Sequence, residues 1–138
     1  MKCSPCLCTN LRQAAQASTA LYDEALAPSG LKITMYRLLR NIDDMGCPSI
    51  SELARQVGLE RSTLGRNLRV LEREDLVRLQ TAEDRRERGI ALTAKGSAAL
   101  ASAKPLWSKA QQTMRQLLGD KAELLFELAN DLNQLRSL

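Results

Sequence analysis

The chain has 138 residues, a formal charge of +4, no histidine and only 3% aromatic residues. That length holds one core, and a core so poor in rings must be built from Leu, Ala, Val, Ile and Met, as in helices packed on helices. Lack of histidine excludes a Ser-His-Asp triad, a histidine base and any zinc site that needs imidazole, and scarce rings argue against RNA modules that stack bases on aromatics.

The first helix is expected from about Thr9 to Ala27, with Thr9 or Asn10 as N-cap and a stripe of Leu11, Ala14, Ala15, Ser18, Leu21 and Ala25. Pro28-Ser29-Gly30 ends it. A second helix starts at Thr34, turns Met35, Leu38, Leu39 and Ile42 to one side, and stops at Gly46 and Pro48. Ser51 is expected to cap a short third helix with Leu53, Ala54 and Val57 inward, closed by a left-handed turn at Gly58. Glu60-Arg61-Ser62-Thr63 opens a fourth helix whose inner residues are Leu64, Leu68 and Leu71. Two short helices joined by a tight glycine turn form the helix-turn-helix pattern; the plainer alternative is an ordinary helical hairpin.

Wheel arithmetic separates the two faces of the fourth helix. With Leu64 at zero, Ser62, Arg66, Arg69 and Arg73 fall at about 160°, 200°, 140° and 180°. The face opposite the leucines is therefore Ser62, Arg66, Arg69 and Arg73, flanked by Thr63 and Gly65. Arginine is the commonest reader of guanine and also grips phosphate, so these residues are candidate DNA contacts. A solvated arginine face is the bland alternative. Gly65 is costly inside a helix, and makes sense there if a groove comes close.

After Val77 the period changes to two. Val77, Leu79 and Thr81 alternate with Arg78 and Gln80, and Ile90-Ala91-Leu92 returns after a polar turn. A two-stranded ribbon with Arg85, Arg86 and Arg88 at its tip is a wing, suited to the negative potential of a minor groove. Asp84 stands two residues before Arg86, near enough to hold it. Thr93 caps a long helix through Leu100, Trp107, Ala110 and Met114, with a kink expected at Pro105. Gly119 breaks it, and Asp120 is expected to cap a last helix. There Leu124, Leu125, Phe126, Leu128, Leu132 and Leu135 cover an arc broader than one small bundle needs, which suggests a second subunit.

This order of elements resembles the MarR family of transcriptional regulators. The resemblance rests on Asp84-Arg85-Arg86, on Leu92-Thr93-Ala94-Lys95-Gly96 and on Leu71-Glu72-Arg73-Glu74-Asp75-Leu76-Val77, and it covers residues 11–138. It implies a mainly α protein with a small β-wing: a winged helix-turn-helix domain plus a helical dimerisation region from both termini. Residues 1–33 would be a Cys-rich segment and dimerisation helix, 34–96 the DNA-binding domain, and 97–138 the C-terminal dimerisation helices. A homodimer on a pseudo-palindromic double-stranded DNA site is implied, most often a repressor relieved by a ligand or by oxidation. The resemblance also gives Asp84 the role of buttressing Arg86 in the minor groove.

The cysteines are the distinctive feature. Cys3, Cys6 and Cys8 precede or open the first helix, and Cys47 precedes the helix-turn-helix. Cys8 stands fourteen residues before Tyr22 in a Leu21-Tyr22 pair. Organic-hydroperoxide sensors of the MarR family have this spacing between a reactive Cys and a Tyr that hydrogen-bonds it. Their second Tyr, which follows a Thr in helix 2, is replaced here by Met35, with Tyr36 one position on. A helix N-terminus favours a thiolate, so Cys8 is the expected redox site, with Cys3 or Cys6 as the resolving thiol and Tyr22 as its partner. A soft-metal or arsenical site, and a Cys8 packed only as a small hydrophobe, remain open beside it.

No apolar run reaches the roughly 18 residues of a membrane span, and no signal-peptide core appears, so a cytoplasmic protein with reduced thiols and no membrane contact is expected. No phosphate loop or paired-carboxylate constellation appears either, so neither an enzyme nor a cofactor is expected. The competing function class is a non-DNA redox or metal-binding helical protein, and binding to the protein's own promoter region separates the two.

Overall fold

The computed structural model describes residues 4–81 and 88–137. Six α-helices and one hairpin follow in order: α1 Leu7–Leu26, α2 Ile33–Met45, α3 Ile50–Val57, α4 Arg61–Arg73, β1 Val77–Thr81, β2 Arg88–Leu92, α5 Ala94–Leu118 and α6 Lys121–Asn133. Short 3-10 turns cover Ala27–Ser29 and Gln134–Ser137. This is a mainly α winged helix-turn-helix fold. The core gathers on α2, α3 and α4, where Leu39, Ile42, Leu53, Leu64 and Leu71 are almost fully buried together with Leu26 and Ile90.

Local hydrogen bonding moved two helix starts from where side-chain identity suggested. α1 begins at Leu7 with Cys6 as its N-cap, ahead of Thr9 and Asn10. Asn10 instead donates from Nδ2 to the carbonyls of Ser4 (2.5 Å) and Cys6 (2.8 Å), tying down the segment before the helix. α3 is capped by Ser49, not Ser51: Ser49 Oγ accepts from the Glu52 N–H at 3.1 Å and donates to Glu52 Oε1 at 3.2 Å. Ser49 through Glu52 follows the Ser-x-x-Glu capping pattern, with the Glu52 carboxylate bonded to the Ser49 hydroxyl and Ser51 inside the helix. Asp120 does occupy the cap position of α6, but its backbone is already helical and its side chain makes no capping bond.

The hairpin register pairs Val77 with Leu92, Leu79 with Ile90 and Thr81 with Arg88. A further bridge joins Ser49 to Gly89, and Ile90 donates its N–H to the Pro48 carbonyl at 2.8 Å, so the entry to α3 leans on the wing's second strand. Cys47 precedes this junction in a left-handed conformation, φ 56°. Its Sγ fills the space where a Cβ on Gly89 would stand.

α4 ends in a Schellman turn. Leu76 N–H returns to the Leu71 carbonyl, and Asp75 takes φ 60°. The Leu-Thr-x-x-Gly segment locks onto this turn. Thr93 Oγ1 donates to the Asp75 carbonyl at 2.5 Å and accepts from Gly96 N–H at 2.9 Å, and Lys95 Nζ reaches the Glu74 carbonyl at 2.9 Å. Gly96 sits against the Leu76 carbonyl so closely that a Cβ would overlap it. α5 then runs on through Pro105 without a break in the helix. Where α5 crosses α2, Trp107 stacks on buried Tyr36 with centroids 6.0 Å apart, and Arg40 lies over the indole at 4.9 Å.

α1 and α6 are the outliers in burial. Along α6 only Ala122 is buried, while Leu124, Leu125, Phe126, Leu128 and Leu132 are exposed. Leu7 and Leu11 are exposed on α1. Among the described residues no helix is long and apolar enough to cross a membrane.

Candidate nucleic-acid interface

α4 has the two faces expected of it. Leu64, Leu68 and Leu71 are buried, and Ser62, Arg66, Arg69 and Arg73 are exposed on the other side. Thr63 is half-buried at the edge, with its Oγ1 3.5 Å from Arg66 Nη2. Nothing lies within 4 Å of the position a Gly65 Cβ would take, so the helix surface is open there. None of the three arginines is in an ion pair with a described carboxylate. An exposed arginine row on a helix pinned by a leucine stripe can enter a major groove without rearrangement.

Three contacts hold that helix in position. The turn at Gly58 adopts φ 71° and closes α3 with its N–H on the Ala54 carbonyl. Arg37 of α2 donates from Nη2 to the Val57 carbonyl at 2.6 Å, satisfying the end of α3 and tying α2 to the helix-turn-helix. The Thr93–Asp75 lock fixes the other end of α4 against the wing. Arg37 was missed in the sequence, because nothing in its spacing distinguishes a carbonyl clamp from a surface arginine.

Asp84, Arg85 and Arg86 lie outside the described residues. Arg88 opens β2, with its side chain also outside them, and so is Cys3. The wing is therefore described at its base but not at its tip.

The thiol-bearing end differs from the expectation in which sulfur it favours. Cys6, Cys8 and Cys47 are exposed free thiols. Cys6 is the N-cap residue of α1, although its side chain makes no capping hydrogen bond, and its thiol is held below the ordinary range chiefly by the neighbouring Thr9 hydroxyl and N–H. The signal available in the sequence was Thr9 three residues after Cys6.

Tyr22 and Cys8 share one continuous helix. At 1.5 Å per residue they stand about 21 Å apart along it, so within one chain they do not meet. The Tyr22 hydroxyl donates to Gln111 Oε1 of α5. Partial burial pushes its pKa above the usual tyrosine value, and the nearby Arg115 charge opposes this more weakly. Tyr36 is likewise committed, accepting from Arg40 Nη1 at 3.0 Å beneath Trp107.

Comparison with known proteins places this architecture. The sequence model of the MarR family matches residues 31–87. The M. tuberculosis transcriptional regulator MosR in complex with DNA is 42% identical, with 96% of each chain covered and a TM-score of 0.85. The transcriptional repressor CouR bound to a 23-mer DNA duplex is 26% identical over 93% of this chain and 92% of that one, with a TM-score of 0.82. A mutant of E. coli MarR with operator DNA, at 22% identity and a TM-score of 0.81, shares the fold over 91% of this chain and 92% of that one. The exposed arginine face of α4, the wing behind it and the likeness to MosR along nearly its whole length together show that the chain belongs to the MarR family of DNA-binding transcriptional regulators.

Proposed function

We propose that the protein is a cytoplasmic, homodimeric repressor that binds a pseudo-palindromic operator and releases it when an N-terminal thiol is oxidised. Residues 34–96 act as the DNA-binding unit, and 1–33 with 97–138 as the dimerisation arms. Ser62, Thr63, Arg66, Arg69 and Arg73 face the major groove, and Arg85, Arg86 and Arg88 the minor groove, with Asp84 steadying Arg86. The dimer is supported by Phe126 and Leu128, which are 51% and 55% exposed on a helix that has almost no packing of its own.

The observation that supports the redox reading is the exposed Cys6 thiol at the N-terminus of α1, held below the ordinary range beside Thr9. A peroxide oxygen is transferred to the Cys6 or Cys8 thiolate, giving a sulfenic acid and releasing an alcohol after protonation. A neighbouring thiol, from Cys3, Cys6, Cys8 or a partner chain, then forms the disulfide and releases water. Residues two apart on a helix do not face each other, so a bond between Cys6 and Cys8 unwinds the first turn of α1. Tyr22 of one protomer can approach Cys8 only across a two-fold axis. A shift of α1 at the interface moves both reading heads, which must stay about 34–36 Å apart.

The test is DNA affinity with and without cumene hydroperoxide for wild type, Cys6→Ser and Cys8→Ser. Wild type should lose operator binding on oxidation, and at least one serine variant should keep it. Peroxide-insensitive wild-type binding overturns the redox reading. A second reading, release by a small molecule, is favoured by a cavity of about 270 Å³ between α2 and α4, lined by Met35, Leu38, Asn67, Val70 and Glu74. A ligand there would press directly on the recognition helix.

A further inference from the structure

Beside the helix-turn-helix turn lies a charged cleft that the groove-facing side of α4 does not explain. It measures about 600 Å³ and is lined by Ser51, Arg55, Gly58, Glu60, Arg61 and Arg136. The chain brings these together from α3, the turn, the start of α4 and the C-terminal 3-10 turn. Arg136 Nη1 lies 2.5 Å from where a Cβ on Gly58 would stand, so the guanidinium rests on the bare backbone of the turn. Arg55, Arg61 and Arg136 are all exposed, and none is in an ion pair with a described carboxylate. Among the lining residues Glu60 is the one acid opposite three guanidiniums. Ser51 adds a hydroxyl, because Ser49 rather than Ser51 caps α3.

We propose that Arg136, with Arg55 and Arg61, clamps the DNA phosphate backbone at the edge of the major groove that α4 enters. Three guanidiniums with no described carboxylate partner line one cleft, and a polyanion lying across it would offset their mutual repulsion. Guanidinium forks fit phosphate oxygens bidentately, and a serine hydroxyl is a common third donor. The position suits the backbone rather than the bases. In a helix-turn-helix the first residues of the recognition helix reach base edges while the preceding helix crosses the phosphate chain. Ser62 and Thr63 are those first residues here, and the cleft opens on the turn and α3 just before them. The clamp is assembled across the fold, since its third arm is the third residue from the C-terminal end.

This inference rests on the DNA-binding reading, and one experiment separates their failures. Wild type, Arg136→Ala and Arg136→Lys are titrated against the operator and a random duplex over a salt series, with dimer mass checked by light scattering. Wild-type binding tests DNA binding itself. For Arg136→Ala the slope of log affinity against log salt should fall by about two, one for each protomer of the dimer, with the same fold-loss on both duplexes. Arg136→Lys should keep the slope, because the charge remains. An unchanged slope in Arg136→Ala, or a loss confined to the operator, overturns the clamp and leaves Arg136 a packing residue of the turn.

Discussion

At the scale of single residues, the chemistry turns on which atoms are already committed. Cys6 has its thiolate stabilised by Thr9, so its alkylation should persist to lower pH than that of an ordinary thiol. In a chain whose other cysteines are replaced by serine, the pH profile of iodoacetamide labelling should sit low and move up in Thr9→Val. Arg66→Ala should cost roughly 1–3 kcal/mol on the operator and far less on random DNA, if Arg66 makes a bidentate base contact. Equal losses on both duplexes would reduce Arg66 to a phosphate contact. Gly96→Ala should lower stability by about 1–3 kcal/mol in thermal unfolding, because its Cβ meets the Leu76 carbonyl. The row Ser62, Arg66, Arg69 and Arg73 was readable from periodicity alone, since leucines four and three apart fix the opposite face. Cys6 was not, because its effect depends on a helix start at Leu7, two residues before the one that Thr9 suggested.

At the scale of elements, the strong periods were legible and the ends were not. Leu64, Leu68 and Leu71 define α4, and the alternation from Val77 to Thr81 defines β1 to the residue. Helix starts depend on which polar atom reaches which N–H, a local matter that composition leaves open. Ser51 was the expected cap of α3, whereas Ser49 holds that place through its Ser-x-x-Glu spacing to Glu52. Ser49→Ala should therefore destabilise by about 1 kcal/mol in chemical denaturation, and Ser51→Ala by much less. The reverse order would mean that the Ser49 cap is not the one holding α3. The Leu-Thr-x-x-Gly segment was visible as a motif, but its work was not: it joins wing, recognition helix and α5 through the Asp75 and Leu76 carbonyls.

For the whole molecule, the unpacked faces of α1 and α6 set the expectation. Exposed Leu124, Phe126, Leu128 and Leu132 form more apolar surface than a lone helix tolerates in water. Light scattering should give the mass of a dimer at micromolar concentration. Leu128→Glu should shift the mass toward a monomer and weaken operator binding, because two half-sites are read together. A monomeric wild type would sink the dimer. The surplus of leucines in the last helix announced this surface in the sequence. The cleft was not announced, because Arg136 stands 75 residues beyond Arg61 and only the return of the C-terminal segment to Gly58 unites them.

Trp107 is the chain's single tryptophan, and it sits where α5 crosses α2, stacked on Tyr36 beneath the Arg40 guanidinium. The protein thus contains its own optical reporter at the joint between the long helix and the DNA-reading body. Indole emission follows the polarity and charge around the ring, and no second tryptophan dilutes it. Any signal that slides α2 against α5, whether peroxide at α1 or DNA at α4, should alter the intensity or wavelength of that emission. Stopped-flow fluorescence can then time the movement in the unlabelled protein.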